Sequence, residues 1–260
     1  MNFSFGIITG GNSDKYIQTI VDSIRNQNIP IYEILIIGKS EISGSDITNI
    51  NFDETIKPGW LTKKKNIICK EAKYENIVLM HDYVCLDTNW YNGFLKYGND
   101  FEICVNRIET LDRKRFRDFL IYPNGIYPYF WEGALLPYDY EPSKYISKLM
   151  YISGTYYVIK KDLALKFPLN EDLTMQTAGD DVELSHRLSN SDIIFKCNQY
   201  STVYFLKEKD GVGWENLISH EDMNLLASFD NEHMSSMLFN KQKYIQRDGI
   251  RQYHNIYYDI

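Results

Sequence analysis

Two short apolar runs, Phe3 to Ile8 and Tyr32 to Ile37, flank a stretch in which Ile17, Ile20, Val21 and Ile24 recur at helical spacing. Pro30 ends the helix before the second run begins. A helix between two strands carries the chain back across the sheet, so the strands pair in parallel with a right-handed crossover. This unit commits the chain to an α/β fold. The first strand ends at Thr9-Gly10-Gly11-Asn12 and the second at Gly38-Lys39-Ser40. Glycines there let backbone approach a ligand closely, although no GxGxxG fingerprint is present.

A third run, Ile77 to Met80, is apolar without a break and reads as a strand buried on both faces. It stops at His81 and Asp82. In open α/β sheets ligands bind outside the carboxyl ends of strands. Two readings of the pair stand: ligands for a metal ion on a rigid support, or an aspartate that caps a turn.

Composition excludes some partners. The net charge is −7 and no basic stripe is visible, which argues against nucleic acid. Cys69, Cys85, Cys104 and Cys197 lie far apart without a CxxC pair, as expected of reduced, buried thiols in a cytosol. The first residues run straight into a strand instead of a signal peptide, and the apolar runs are too short to span a bilayer. A cytoplasmic protein is the expectation.

Further along, residues 41–58 are polar and turn-rich, and Gly59-Trp60-Leu61-Thr62 opens a helix with Thr62 as its expected cap. Lys63, Lys64 and Lys65 in its first turns oppose the helix dipole, so they face either a bound polyphosphate or solvent. A helix over Trp90 to Tyr97 and a strand over Phe101 to Val105 follow. Residues 106–150 form an irregular, aromatic-rich insertion suited to a carbohydrate ring or to a local core of its own. Tyr151 to Ile159 reads as one strand, with Gly154 permitting close approach. Gly179-Asp180-Asp181-Val182-Glu183 reads as a loop opening into a helix. Asp180 and Glu183 form a capping box there, which leaves Asp181 free. Strands over Ile193 to Lys196 and Thr202 to Leu206, a charged loop, His220 and a peripheral helix and tail at 230–260 complete the chain.

Taken in order, four blocks resemble a nucleotide-sugar glycosyltransferase of the GT-A fold, of the family-2 type. They are Phe5 to Asn12 with its helix, Glu33 to Ile37, Leu79 to Trp90, and Ile152-Ser153-Gly154 through Gly179 to Ser185. The similarity covers residues 3–206. It implies a Rossmann-like, mostly parallel sheet in a domain over 1–229, with 106–150 on the acceptor side. It also implies transfer of a sugar from a nucleoside-diphosphate sugar to an acceptor hydroxyl, with inversion. The acceptor would be a glycan or a lipid-linked molecule, which would bring the protein to a membrane surface peripherally.

By the same resemblance, Thr9, Gly10, Asn12 and Gly38 hold the nucleoside. Lys64, Lys65, Asn66, His81, Gly154 and Asp180 complete the donor site. Asp82, with His220, binds Mn²⁺ or Mg²⁺, and Asp181 is the catalytic base. The chain departs from the family where His81-Asp82-Tyr83 replaces a D-x-D motif and where Gly38-Lys39-Ser40 lacks an aspartate for the base. A binding module with a degenerate centre is therefore the competing reading. A nucleotidyltransferase would want a basic residue in Thr9-Gly10-Gly11-Asn12, and none is there.

Overall fold

A computed structural model describes residues 1–122, 134–173 and 179–209. The chain runs β1 (Phe3–Ile8), α1 (Asp14–Arg25), β2 (Tyr32–Ile37), β3 (Ile47–Ile50), α2 (Leu61–Glu71), β4 (Asn76–His81), β5 (Val84–Leu86) and α3 (Trp90–Tyr97). It continues through β6 (Ile103–Glu109), β7 (Phe119–Ile121), β8 (Ala134–Leu135), α4 (Lys144–Ser147), β9 (Met150–Ile152), β10 (Tyr156–Lys160), α5 (Lys161–Lys166), α6 (Asp180–Asn190) and β11 (Phe195–Phe205). Eight strands form one sheet in the order β3-β2-β1-β4-β10-β6-β11-β5, and β8-β7-β9 form a small second sheet. The first four strands of the large sheet are parallel, as the opening unit requires. β10 then runs antiparallel between β4 and β6.

Alternation along the buried strands builds two cores, one on each face. Phe3, Phe5, Ile7, Ile34, Ile36, Val78 and Met80 point to the face covered by α1 through Ile17, Ile20, Val21 and Ile24. Ile8, Leu35, Ile37, Ile77 and Leu79 point to the opposite face, where α2 packs through Ile68 and Cys69. Gly6 makes that second contact close, since a Cβ there would lie 2.3 Å from Ile68. A strand with both faces covered reads as an unbroken apolar run, which is why β1 and β2 match their sequence-derived bounds and β4 exceeds its run by one residue at each end. All four cysteines are buried and unpaired.

Several expectations need correction. Residues 41–58 contain a strand, β3, whose Thr48 and Asn49 are exposed and so leave no apolar signature. Trp60, not Thr62, sits at the cap of α2; Thr62 is inside the helix with its hydroxyl buried and unpartnered. Tyr151 to Ile159 is two strands: the chain leaves the small sheet at Ile152 and enters the large one at Tyr156. Ile193 to Leu206 holds one long strand, β11, with a bulge between Asn198 and Thr202. The insertion contains β7, β8 and α4, and its described tyrosines pack inward, Tyr122 in a small cluster with Leu120, Leu135, Tyr151 and Val182, and Tyr138 and Tyr140 against the larger core under α2. Tyr127, Tyr129, Phe130 and Trp131, together with the tail from 230, lie outside the described residues.

Candidate functional site

The register of the parallel strands sets the site. Ile8 of β1 lies opposite both Ile37 of β2 and His81 of β4, so Thr9, Gly38 and Asp82 emerge along one edge. Thr9 Oγ1 donates to Asp82 Oδ2 at 2.7 Å and accepts the Gly11 N–H at 3.1 Å. Gly38 has φ +127°, and a Cβ there would lie 2.2 Å from the Thr9 carbonyl oxygen, so only glycine fits. Gly11 and Asn12 are also left-handed. A Cβ on Gly10 would meet nothing within 4 Å, so this loop borders open space.

Beside the end of β4 lies the break between β9 and β10, Ser153-Gly154-Thr155. The His81 N–H donates to the Thr155 carbonyl at 3.2 Å, which binds the turn to the end of β4. The Gly154 N–H donates to Asp181 Oδ2 at 2.8 Å, and the Val182 N–H donates to Asp181 Oδ1 at 2.9 Å. Both oxygens of Asp181 are thus oriented by backbone at the start of α6. Burial, then the neighbouring Asp180 carboxylate, pushes the Asp181 carboxyl above its ordinary range. Asp180 behaves oppositely. Burial acts to raise it, but Lys65 at 2.7 Å outweighs burial and leaves it below the usual range.

That ion pair corrects the expected capping box. Gly179 occupies the cap, Asp180 turns to Lys65, and Glu183 pairs with Arg187 one turn on. The three lysines of α2 also divide. Lys63 reaches Glu171 at 2.8 Å and stays partly exposed. Lys64 and Lys65 are each 1% exposed, so neither forms a solvated face. Lys64 binds Glu54 and, at 2.7 Å, the Thr9 carbonyl. Lys65 binds Asp180 and, at 3.0 Å, the Gly154 carbonyl. Buried ammonium groups so paired fix the loops on which the site stands. Asn66 points elsewhere: it exchanges hydrogen bonds with the Leu169 backbone and reaches Glu171.

For a metal, the donor set at this edge is short. Among the described residues no three His, Cys, Asp or Glu side chains gather around one point. Asp82 has one oxygen engaged by Thr9. Burial, then the charges of Lys65 and Lys209, holds the His81 imidazole down at about 3, with the Asp180 carboxylate opposing them. These residues alone do not fit a divalent ion, and His220 lies outside the described residues.

Sequence reasoning missed Thr155, Arg117 and Lys209. Lys209 Nζ donates to Thr155 Oγ1 at 2.7 Å and lies 5.1 to 5.6 Å from the Phe116, Tyr83 and Phe205 rings. Its sequence context, a charged loop after the last core strand, gave no hint that the ammonium turns inward.

No family model and no curated protein matches the sequence. Solved structures do match the fold. A crystal structure of GalNAc-T7 with UDP, GalNAc and Mn²⁺ superposes with a TM-score of 0.57 at 13% identity, over 82% of this chain and 45% of that one. S. aureus TarS 1-349 gives 0.52 at 12% identity over 94% and 76%, and its complex with UDP-GlcNAc gives 0.53 at 13% over 92% and 70%. This chain thus spans less than half the length of GalNAc-T7. Its large mixed sheet with flanking helices, together with these neighbours, gives it the fold of the GT-A glycosyltransferases.

Proposed function

We propose that this protein is a glycosyltransferase that moves a sugar from a nucleoside-diphosphate sugar to an acceptor hydroxyl, with inversion and with Asp181 as the base. The observation that carries the reading is Asp181 itself. Its two oxygens are fixed by the Gly154 and Val182 N–H groups beside the strand ends that carry Thr9, Gly38 and Asp82. Support for the donor class comes from neighbours of the same fold solved with UDP and UDP-GlcNAc.

In the step, the acceptor O–H bond breaks and its proton passes to Asp181. The acceptor oxygen bonds to the anomeric carbon while the bond from that carbon to the diphosphate oxygen breaks, and the electron pair leaves with the diphosphate. A carboxyl raised above its ordinary value is a better proton acceptor than a free aspartate, provided that it is ionised at the working pH. The Gly154 and Val182 N–H groups hold it in place. Mn²⁺ or Mg²⁺ would call on Asp82 and His220.

Turnover with a panel of UDP-, GDP-, CMP- and dTDP-sugars tests the reading. Asp181→Asn keeps shape but takes no proton, so turnover should fall by about 10²–10⁴ while donor affinity is kept. Wild-type turnover in that variant would remove Asp181 from the role. One observation favours a second reading, a sugar-nucleotide-binding module: the single acid in His81-Asp82-Tyr83. Tight donor binding with neither transfer nor hydrolysis across the panel would select it.

A further inference from the structure

Two half-buried cations at this site, Arg117 and Lys209, have no carboxylate within ion-pair distance among the described residues. Lys64 and Lys65 are neutralised by Glu54 and Asp180. Among the described residues, the hydrogen-bond partner of Lys209 is a neutral hydroxyl, Thr155 Oγ1, and its ammonium lies under the rings of Tyr83, Phe116 and Phe205. Arg117 stacks its guanidinium 5.1 Å from the Phe116 ring, and its Nε is buried with no hydrogen-bond partner among the described residues. The two share the Phe116 ring, so their like charges are held close together. Both residues are half-buried and the Asp181 carboxylate offsets Lys209 only in part, so the pair leaves positive charge that an anion would offset.

The location is specific. Thr155, which anchors Lys209, is the residue after Gly154 and accepts the His81 N–H through its carbonyl. The ammonium therefore stands between the end of β4 and the turn that holds Asp181. Resting on the proposed transferase reading, we infer that Arg117 and Lys209 form an anion cradle for the diphosphate of the donor and stabilise it as it leaves. The cradle supplies the positive charge that the donor set around Asp82 is too poor to gather from a metal ion. Fixed donors aimed at developing negative charge need no reorganisation during the reaction.

Calorimetry of the full chain with UDP and with uridine, in EDTA and then in Mn²⁺, tests this, with GDP, CDP and dTDP as further probes. Wild type should bind a nucleoside diphosphate in EDTA nearly as tightly as in Mn²⁺. Arg117→Gln and Lys209→Gln should each weaken the diphosphate by about ten- to a hundredfold and leave the nucleoside unchanged. Wild-type binding that needs Mn²⁺, or variants that lose nucleoside and diphosphate equally, would overturn the cradle while keeping the transferase reading. Failure of the wild type to bind any of the four diphosphates in either buffer would overturn the transferase reading and the cradle with it. Should a variant fail to fold, the comparison of EDTA with Mn²⁺ in the wild type still decides.

Discussion

Gly154 binds Asp181 through its N–H and Lys65 through its carbonyl, so one peptide unit after another in the β9–β10 break orients the proposed base and the cation beside it. The arrangement depends on the absence of a side chain. A Cβ on Gly154 would lie 3.0 Å from both Cβ and Oδ2 of Asp181, closer than almost any real contact of that kind. Gly154→Ala should therefore push the carboxylate aside by a few tenths of an ångström. Misplacement of a reacting group at that scale lowers kcat, here by about tenfold or more, with KM for the donor nearly unchanged. Overpacking costs about 1 kcal/mol of stability. A variant with altered donor KM and normal kcat would show that Gly154 serves the donor instead of the base.

The state of Asp181 gives a pH dependence with a definite sign. Burial first, and the Asp180 charge second, raise its pKa, and a base works only when ionised. Turnover should fall on the acid side as pH drops through that raised value, above the ordinary aspartate value of about 3.9. Asp180→Asn removes the like charge and frees Lys65 to act on Asp181, and both changes move the acid limb to lower pH. An acid limb that stays put in Asp180→Asn would assign it to another group.

Lys65 and Asp180 form a pair with the lysine 1% exposed, and their side chains meet at 2.7 Å. Removing one partner of such a pair leaves the other charge buried, at a cost of about 3 kcal/mol. Lys65→Met should lower stability by that much in denaturant unfolding, and Lys65→Met with Asp180→Leu should recover most of it. A single variant with normal stability but weakened nucleotide binding would instead make Lys65 a ligand of the diphosphate.

The fold was legible where burial is two-sided. β1, β2 and β4 are continuous apolar runs because both faces are covered, and α1 shows its four buried residues at helical spacing. β3 was hidden because its middle residues are exposed at the sheet edge. The join of β9 to β10 was hidden because a strand that changes sheets keeps its apolar pattern through the turn. Asp82 and Asp181 lie at the strand and helix ends where the sequence put them, Gly154 lies in the break between β9 and β10, and the structure brings the three to one region. Lys209 was not legible, since only tertiary packing on Tyr83, Phe116 and Phe205 distinguishes it from the exposed charges around it. The pairing of Lys64 and Lys65 was hidden for the same reason: their carboxylate partners lie at Glu54 and Asp180, the latter 115 residues away.

Lys209 carries the last prediction. Burial, then the Arg117 guanidinium, brings its pKa down to about 8, with Lys65 and Lys207 adding to the effect and Asp181 opposing it. Among the described residues, the remaining groups packed against it are the Tyr83, Phe116 and Phe205 rings and the Thr155 hydroxyl. An ammonium attracts a diphosphate and a neutral amine does not. Diphosphate affinity should therefore be full below about pH 8 and decline above it, while nucleoside affinity stays level. The bound anion favours the charged form, so binding near pH 8 should also take up a proton. Calorimetry in two buffers of different ionisation enthalpy measures that uptake directly. Lys209→Arg keeps its charge throughout this range, so its affinity should be flat across pH 7 to 9 and no proton should be taken up. A decline that persists in Lys209→Arg would trace it to a different group.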